Sequence, residues 1–369
     1  MLITVLAFVL VLSVLVLVHE AGHYFVAKWM GVKVEEFGFG FPPRVYGKKI
    51  GETVYSINWL PVGGFVKLYG EDEAGAGRLS VKNQTNIKDK KRAFFARNPW
   101  QRAAIVVAGV VMNFLLAVVL LSYIYSVRGV PTPGNKVFIA ETAKDSPAAV
   151  AGLKVGEQVL SVDGMKITST DQIISYTKAH LGQKLTVVVK ERSGREYSLK
   201  ITPRKSYPVT EGPMGVVISQ DISIKKYPWY QAPYIGLNEA LGTSWQIIQG
   251  LGQVVVQFVT TRSVPAGVAG PVGIAQLTGQ TVKYGLDAVL SLIALLSLNL
   301  AIMNVLPIPA LDGGRLFFIL LEAVTGIKVS PKVENYTHAV GMAVLMFFIL
   351  LITFHDLFRV FSGQSLLPK

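Results

Sequence analysis

The chain has 369 residues and a net charge of +13, with 16% charged and 51% hydrophobic residues. This composition excludes a disordered chain, and it argues against an ordinary soluble enzyme because the uncharged residues are concentrated in blocks. Four blocks contain no charged residue, namely Leu2 to Val18, Ala103 to Val127, Ala288 to Leu311 and Ala339 to Phe354. Most of these blocks are long enough for a bilayer core of roughly 30 Å. We therefore predict a polytopic α-helical membrane protein with about four transmembrane helices.

Cysteine is absent from the chain, which rules out disulfides, thiolate zinc sites and cysteine nucleophiles. The excess of lysine and arginine is not interleaved with base-stacking aromatic residues, so nucleic acid is not an expected partner. These positive charges are better explained as residues that flank membrane helices. The partner that the composition indicates is the lipid bilayer.

The distribution of positive charge predicts how the chain crosses the membrane. The first block follows Met1 directly, without the basic region and cleavage site of a signal peptide, so we expect a retained helix. Residues 31–102 carry thirteen lysine and arginine residues, which places this connection in the cytoplasm and the N-terminus outside. The second block then runs outward, residues 128–284 lie outside, the third block runs inward and the fourth runs outward.

Two further segments do not fit a simple span. From Ala240 to Thr261 a glutamine recurs every three or four residues opposite an apolar stripe. This pattern favours an interfacial amphipathic helix over a fifth span, and it leaves open whether the segment crosses. The segment from Leu316 to Val324 is too short to cross and contains Glu322, so we expect it to be re-entrant or interfacial.

The outer region has the pattern of a small α+β domain. Asp171 to Ala179 has helical spacing after an N-cap at Ser169 or Thr170. Runs of strand formers surround it at Val137–Ala140, Gln158–Val162, Lys184–Lys190 and Glu196–Ile201. The small-residue and turn motifs Ser146-Pro147-Ala148, Ala151-Gly152-Leu153, Gly156-Glu157 and Val162-Asp163-Gly164 resemble those of a PDZ domain. This resemblance implies a site for a peptide or substrate segment, and the alternative is an unrelated small β-rich domain.

The elements divide the chain into four regions. Residues 1–127 form an N-terminal membrane part with a membrane-associated β-hairpin, and residues 128–210 form one extracytoplasmic PDZ-like domain. Residues 211–284 form a linker with the amphipathic helix, and residues 285–369 form a C-terminal membrane part.

The sequence His19-Glu20-Ala21-Gly22-His23 is an HExxH motif that continues the helical pattern of the first block. Residues four apart share one face of a helix, so both histidines can bind one metal ion while Glu20 takes a proton from water. The alternative is a pair of structural histidines at a helix end. Three ionisable residues within five positions of a membrane helix are costly without a function, which favours the metal site.

A catalytic zinc site usually has three protein ligands, so a third ligand is expected elsewhere. The candidates in apolar surroundings are Asp287, Asp312, Glu322, Glu334, His338, His355 and Asp356. His19 lies about 25 Å along its helix, and the third block reaches the same depth near Val305. Pro307 and Pro309 must end that helix, so Asp312 arrives at the level of the histidines. A plain helix N-cap remains the alternative role of Asp312.

The HExxH motif and the run NLAIMNVLPIPALDG, from Asn299 to Gly313, together resemble the site-2 protease family of intramembrane zinc metalloproteases. The similarity extends to Gly38-Phe39-Gly40, Gly63-Gly64-Phe65-Val66 and Gly270-Pro271-Val272-Gly273-Ile274, and it is greatest with the bacterial RseP-like branch. The resemblance implies a multi-pass protease of the bacterial cytoplasmic membrane. Its substrates would be the transmembrane segments of single-span proteins, such as anti-sigma factors or signal-peptide remnants. Enterobacterial members carry two PDZ domains, whereas this chain has room for one.

The same resemblance assigns roles to individual residues by motif position. It implies His19, His23 and Asp312 as ligands of Zn²⁺, and Glu20 as the catalytic base. Asn299 and Asn304 would line the substrate channel, and Asn304 would polarise the scissile carbonyl.

The stretch from Thr53 to Lys67 has strand formers on both sides of a turn and predicts a membrane-dipping β-hairpin. Its edge, with Val54, Gly64, Phe65 and Val66, would pair with an unwound substrate and supply hydrogen-bond partners to it. An ordinary cytoplasmic hairpin fits the same pattern.

Two other functions compete with proteolysis. A non-proteolytic scaffold that presents the PDZ-like domain would hold a structural metal, but such a site needs no general base at Glu20. A metal transporter would need ionisable residues along its spans, and the second block offers only the uncharged Asn113. The favoured function is therefore zinc-dependent peptide hydrolysis inside the bilayer.

Overall fold

The computed structural model of the chain describes residues 2–71, 89–208, 211–261, 269–327 and 329–361. Its helices are α1 (Leu2–Trp29), α2 (Pro99–Val127), α3 (Pro147–Val150), α4 (Thr170–Ala179), α5 (Ala232–Thr261), α6 (Pro271–Thr281), α7 (Leu286–Val305), α8 (Asp312–Thr325) and α9 (Pro331–Phe361). Its strands are β1 (Val34–Ile50), β2 (Thr53–Leu68), β3 (Val130–Thr142), β4 (Gln158–Val162), β5 (Met165–Lys166), β6 (Leu185–Lys190), β7 (Glu196–Ile201) and β8 (Val216–Lys225). The chain forms two compact units, one of Met1–Ser126 with Pro228–Lys369 and one of Val127–Tyr227.

Four helices among the described residues are long and apolar enough to cross a membrane, namely α1, α2, α7 and residues Pro331–Arg359 of α9. They coincide with the four uncharged blocks, so the expected number of spanning helices agrees with the structure. Helix α7 ends at Val305 and the next residue, Leu306, is extended. This end lies where Pro307 and Pro309 were expected to stop the helix. The direction in which each helix crosses stays a prediction.

Two helices of the same unit differ from the spanning ones. Helix α5 has 30 residues, but its glutamine stripe makes it less apolar, and it is not among the four helices that are apolar enough to span. Helix α8 has 14 residues and contains the segment expected to be re-entrant or interfacial. At about 1.5 Å per residue, α8 is too short to span the bilayer.

Strands β1 and β2 fold into a sheet of four segments that lie side by side. Residues 46–49 pair with residues 54–57, these pair with residues 36–39, and residues 36–39 pair with residues 64–67. The two outer segments are therefore 46–49 and 64–67. This order arises because the first half of β1 lies between the two halves of β2.

The order of the segments corrects one expectation about the substrate-binding edge. Val54 pairs with both Glu36 and Lys49, so it lies in an inner segment. A residue paired on both sides has no free backbone edge for a substrate, and the placement of Val54 at the edge is wrong. Gly64 and Val66 do lie in an outer segment, where they pair only with β1.

The turn between β1 and β2 is fixed by a cluster of charged residues. The carboxylate of Glu52 accepts hydrogen bonds from Arg92 at 2.7 and 2.8 Å and from Lys28 at 3.3 Å. These hydrogen bonds, first of all those from Arg92, lower the pKa of Glu52 to about 2. The buried hydroxyl of Thr53 donates to the carbonyl oxygen of Val34 at 2.9 Å. The sheet is thereby tied to the last turn of α1.

The second unit is a six-stranded sheet with the strand order β7, β6, β4, β3 and β8, in which β5 pairs with β4. Alternate side chains of its strands, including Val137, Val159 and Val187, are buried against Ile173 of α4. The hydroxyl of Ser169 accepts a hydrogen bond from the amide of Gln172. The N-cap of α4 is therefore at Ser169, one of the two expected positions.

The second unit extends beyond the expected boundary at residue 210. Strand β8 pairs with β3 from Val130 with Lys225 to Thr142 with Val216, and the unit ends at Tyr227. The linker expected from residue 211 therefore starts with a strand of the domain. The sequence pattern did not show this, because β8 is held by a partner that is distant in the chain.

Candidate metal centre

Three potential metal ligands meet from two helices of the first unit, which comprises Met1–Ser126 and Pro228–Lys369. His19 and His23 lie one turn apart on α1, and their Nε2 atoms are 3.2 Å apart. Oδ2 of Asp312, the first residue of α8, lies 3.0 Å from Nε2 of His19 and 3.3 Å from Nε2 of His23. Among the described residues this is the group of histidine and carboxylate side chains that could hold a metal ion.

The spacing of these atoms fits a zinc ion. Ligands about 2.0–2.2 Å from a tetrahedral zinc lie roughly 3.3–3.5 Å from one another, close to the separations of the three atoms. Nδ1 of His23 lies 2.8 Å from the carbonyl oxygen of Ile105. A carbonyl can only accept, so Nδ1 carries the proton and Nε2 offers its lone pair to the centre.

The position of Asp312 bears on its two expected roles, helix cap and metal ligand. The N-cap of α8 is Leu311, and Asp312 is the first helical residue. Its carboxylate contacts the two imidazoles. The cap position belongs to Leu311, and the carboxylate of Asp312 lies where a metal ligand would be needed, so its role as a ligand stays a prediction.

Asn113 of α2 is a site residue that the sequence did not reveal. Its side chain is fully buried, its Nδ2 lies 3.4 Å from Nδ1 of His19, and its Oδ1 has no hydrogen-bond partner. If the side-chain amide is rotated by 180°, Oδ1 of Asn113 faces Nδ1 of His19 and can accept a hydrogen bond from the imidazole N–H. Asn113 would then hold the His19 tautomer whose Nε2 is free to bind metal. Its signal in the sequence was a lone polar residue within an apolar span.

Glu20 lines a cavity of about 170 Å³ together with the three candidate ligands. Phe65 and Val66 of β2 line the same cavity. Gly64 brings this outer segment against α1, because a Cβ atom there would lie only 3.1 Å from Val16 and 3.4 Å from Cγ of Glu20. The structure thus brings the HExxH motif, Asp312 and one edge of the sheet to a single cavity.

The two asparagines of α7 have different positions. Nδ2 of Asn304 lies 3.4 Å from Nε2 of His19, next to the candidate metal position. Asn299 is exposed. It precedes Asn304 by five residues, which places it on a face of the helix about 140° away. The channel-lining role of Asn299 stays a prediction.

Several of the other residues considered as a third metal ligand have hydrogen-bond partners elsewhere in the first unit. Glu322 accepts a hydrogen bond from Arg102 at 2.6 Å. His338 accepts from the backbone N–H of Ala310 at 3.0 Å, and Asp356 accepts from the N–H groups at the start of α6. None of these three belongs to the ligand group found among the described residues.

Helices α1 and α2 approach closely through glycine at the candidate centre. A Cβ atom on Gly109 would lie 2.5 Å from Nε2 of His23 and 2.7 Å from Cε1 of His19. A Cβ atom on Gly22 would likewise overlap the backbone of Ala108. Small residues at such crossings let helix backbones meet inside a membrane.

Gly109→Ala should therefore displace the imidazoles and weaken metal binding by about 10- to 100-fold, as changes beside metal ligands typically do. Zinc titration of the detergent-solubilised protein would measure this change. Gly242→Ala is a matched control, because a Cβ atom there meets nothing within 4 Å. Unchanged zinc affinity in the Gly109 variant would contradict the close packing of α2 on the histidines.

Comparison with known proteins finds similarity over nearly the whole chain and not only around the cavity. The sequence profile of peptidase family M50 matches residues 7–348. A putative zinc metalloprotease of Mesorhizobium japonicum is 33% identical over 367 residues, which cover 96% of this chain and 98% of that protein. Zinc metalloprotease RasP of Geobacillus kaustophilus is 31% identical, with 97% and 98% covered. Regulator of sigma-W protease RasP of Bacillus subtilis is 29% identical, with 97% and 99% covered.

A solved structure is similar to a smaller part of the chain. The PDZ domain of an SdrC-like protein of Listeria monocytogenes covers 24% of this chain and is itself covered to 93%, with 20% identity and a TM-score of 0.21. The similarity to the zinc metalloproteases, in contrast, extends over nearly the whole length of both sequences. The chain belongs to peptidase family M50.

Proposed function

We propose that this multi-pass zinc metalloprotease cleaves the transmembrane segments of single-span membrane proteins within the bilayer. The observation that carries the proposal is the meeting of His19, His23 and Asp312 around one position beside Glu20. His19 lies about 25 Å along α1, within a helix of 28 residues that is long and apolar enough to span a membrane. Cleavage of a panel of single-span membrane proteins by the purified chain, with and without a chelator, tests it.

His19, His23 and Asp312 would hold the zinc ion, whose bound form makes water more acidic and polarises a carbonyl group. Glu20 accepts one proton from water as the water oxygen bonds to the carbonyl carbon. The C–N bond then breaks, its electron pair stays with nitrogen, and Glu20 returns the proton to that nitrogen. The Asn304 amide, beside His19, would orient the carbonyl, and Asn299 would line the channel that leads to it.

A substrate helix must unwind before it can be cleaved, and its freed backbone groups then need partners. In a low-dielectric site each unpaired group costs several kcal/mol. The outer segment with Gly64, Phe65 and Val66 would supply these partners by adding the substrate as a further strand. Its position against Glu20 supports this role.

The cellular setting is part of the proposal. We infer the bacterial cytoplasmic membrane from the bacterial relatives. The positive charges of residues 31–102 support an orientation with the N-terminus and the second unit outside. The name of the Bacillus subtilis relative points to regulation of a sigma factor, and anti-sigma factors are therefore substrates to test first. Signal-peptide remnants are the other expected class.

The second unit offers a groove for a peptide or substrate segment. A cavity of about 440 Å³ lies between α4 and β8 and is lined by apolar residues such as Ile173, Met214 and Ile218. Strand β8 is the last strand of the sheet and pairs only with β3 among the described strands. PDZ domains bind extended peptides at such an edge, so this unit would inspect the outer part of a substrate.

Glu20→Gln should retain zinc and lose proteolysis by about 10²- to 10⁴-fold, because a carboxamide cannot accept and return the proton. Zinc content and cleavage would be measured on the same preparation. His19→Ala, His23→Ala and Asp312→Ala serve as the comparison, since each of these should lower zinc occupancy. Wild-type turnover by Glu20→Gln would remove Glu20 from the mechanism.

Val66→Pro should reduce cleavage roughly tenfold with zinc retained, if the N–H that it removes faces the substrate. Phe65→Pro tests the opposite orientation, because successive N–H groups of a strand point to opposite sides. Lys48→Pro is the matched control, since Lys48 lies in the other outer segment. Unchanged cleavage by both Phe65→Pro and Val66→Pro would reject strand addition.

Replacing residues 127–227 by a short flexible linker should broaden the substrate range, because the proposed ligands all lie in the first unit. Cleavage of a substrate with a large folded outer domain should rise, while cleavage of the same substrate with a short stub should be unchanged. Loss of both activities with zinc still bound would instead give the second unit a supporting role.

A further inference from the structure

Arg315 is a buried cation that the proposed mechanism does not use. It follows Asp312 by three residues on α8 and lines the same 170 Å³ cavity as Glu20. Its guanidinium group contacts the carboxylate of Glu71, and its Cζ atom lies 5.7 Å from the centre of the Phe94 ring. The side chains of Arg315 and Glu71 are 17% and 4% exposed. The end of the sheet and the aromatic ring thus fix a positive charge beside the candidate metal centre.

The guanidinium group has capacity for a further partner. Arginine carries five N–H donors in a rigid planar arrangement, and Glu71 does not satisfy all of them. Nε of Arg315 is buried and has no hydrogen-bond partner among the described residues. A buried charged donor that lacks an acceptor is costly, so this group is placed to receive an anionic oxygen.

The charge balance of the cavity leads to the same conclusion. Its charged residues are Glu20, Glu71, Asp312 and Arg315, and Arg315 is the only arginine or lysine in its described lining. With a divalent ion bound, the three carboxylates of the lining would leave a net charge of −1 if Arg315 were absent, and Arg315 brings the sum over the lining to zero. Glu334, which acts on Arg315 from outside the lining, adds further negative charge. Without Arg315, the cavity would repel the negative charge that peptide hydrolysis creates.

We propose that Arg315 is a further catalytic residue that binds the anionic oxygen of the scissile group, and that Glu71 positions it. The inference rests on the proposed protease function. As the water oxygen bonds to carbon, the π electron pair of the carbonyl moves to its oxygen, which then carries the negative charge. After the C–N bond breaks, the nitrogen takes its first proton from Glu20. The hydroxyl proton of the new acid group then passes by way of Glu20 to the same nitrogen, so the products are a carboxylate, which keeps the negative charge, and an ammonium group. Arg315 faces the negative oxygen throughout and exchanges no proton.

Arg315→Gln in the detergent-solubilised full chain should lower kcat by about 10²- to 10³-fold, the usual effect of removing one donor to a developing oxyanion. KM should change by less than about threefold, since the charge arises only after substrate binding. Zinc content should remain at the wild-type level. Affinity for a phosphonamidate peptide, which imitates the tetrahedral anion, should fall by the same factor as kcat/KM.

A structural role for the ion pair makes different predictions. The double variant Glu71→Gln with Arg315→Gln removes both buried charges, so a merely structural pair predicts recovered activity, whereas we expect kcat to stay low. Arg315→Lys keeps the charge and should recover part of kcat, which maintains the test if Arg315→Gln does not fold. Arg92→Gln is the control, because it breaks the ion pair with Glu52 at the turn between β1 and β2, outside this cavity and away from α8, and it should lower Tm without a selective loss of phosphonamidate affinity.

The outcomes separate this inference from the proposed function. If the wild-type chain cleaves no membrane substrate and Glu20→Gln behaves identically, the protease proposal fails. If wild type cleaves and Glu20→Gln does not, wild-type kcat and phosphonamidate affinity in Arg315→Gln would overturn the role of Arg315 alone. Full recovery in the double variant would do the same.

Discussion

The structure of the first unit depends on bringing Asp312 to two histidines that lie in the second half of another helix, α1. This requires α7 to stop inside the apolar region, where unpaired backbone groups are costly. Pro307 and Pro309 have no N–H to leave unpaired, and the N–H of Leu311 donates to the carbonyl of Ile308 at 3.2 Å. The N–H of Ala310, which has a positive φ of 78°, donates to His338. The hydrogen bond from Ala310 to His338 of α9 therefore lowers the cost of the non-helical backbone between α7 and α8.

Buried charges outside the centre hold the short helices in place. Arg102 of α2 pairs with Glu322 of α8 at 2.6 Å. Asp356 of α9 accepts hydrogen bonds from the N–H groups of Gly270 and Gly273 at 2.9 and 2.8 Å, at the start of α6. Removing one partner would weaken the compensation of a buried charge. These contacts join the short helix α8 to the spanning helix α2, and the short helix α6 to the spanning helix α9. The first of them helps to position Asp312, because Asp312 lies on α8.

The cavity has two requirements that a single type of surface cannot meet. Hydrolysis needs water, charge and a base, whereas the proposed substrate, an unwound helix, would need backbone hydrogen bonds in a place that excludes competing water. Helices α1 and α8 supply the polar side, with Glu20 and Arg315, and the outer segment of β2 supplies the backbone edge. Gly64 allows these sides to touch, since a larger residue would separate the strand from α1.

The sequence by itself determined the spanning segments, the HExxH pair, the end of α7 at the prolines and the arrival of Asp312 at the same depth. These are consequences of local spacing, hydropathy and backbone chemistry, which a linear sequence contains. Only the tertiary structure decided that Val54 lies in an inner segment, that β8 belongs to the second unit, that Asn113 contacts His19, and that Arg315 reaches the cavity. Each of these depends on which distant segments pack together, because the same strand pattern or lone polar residue is compatible with many partners.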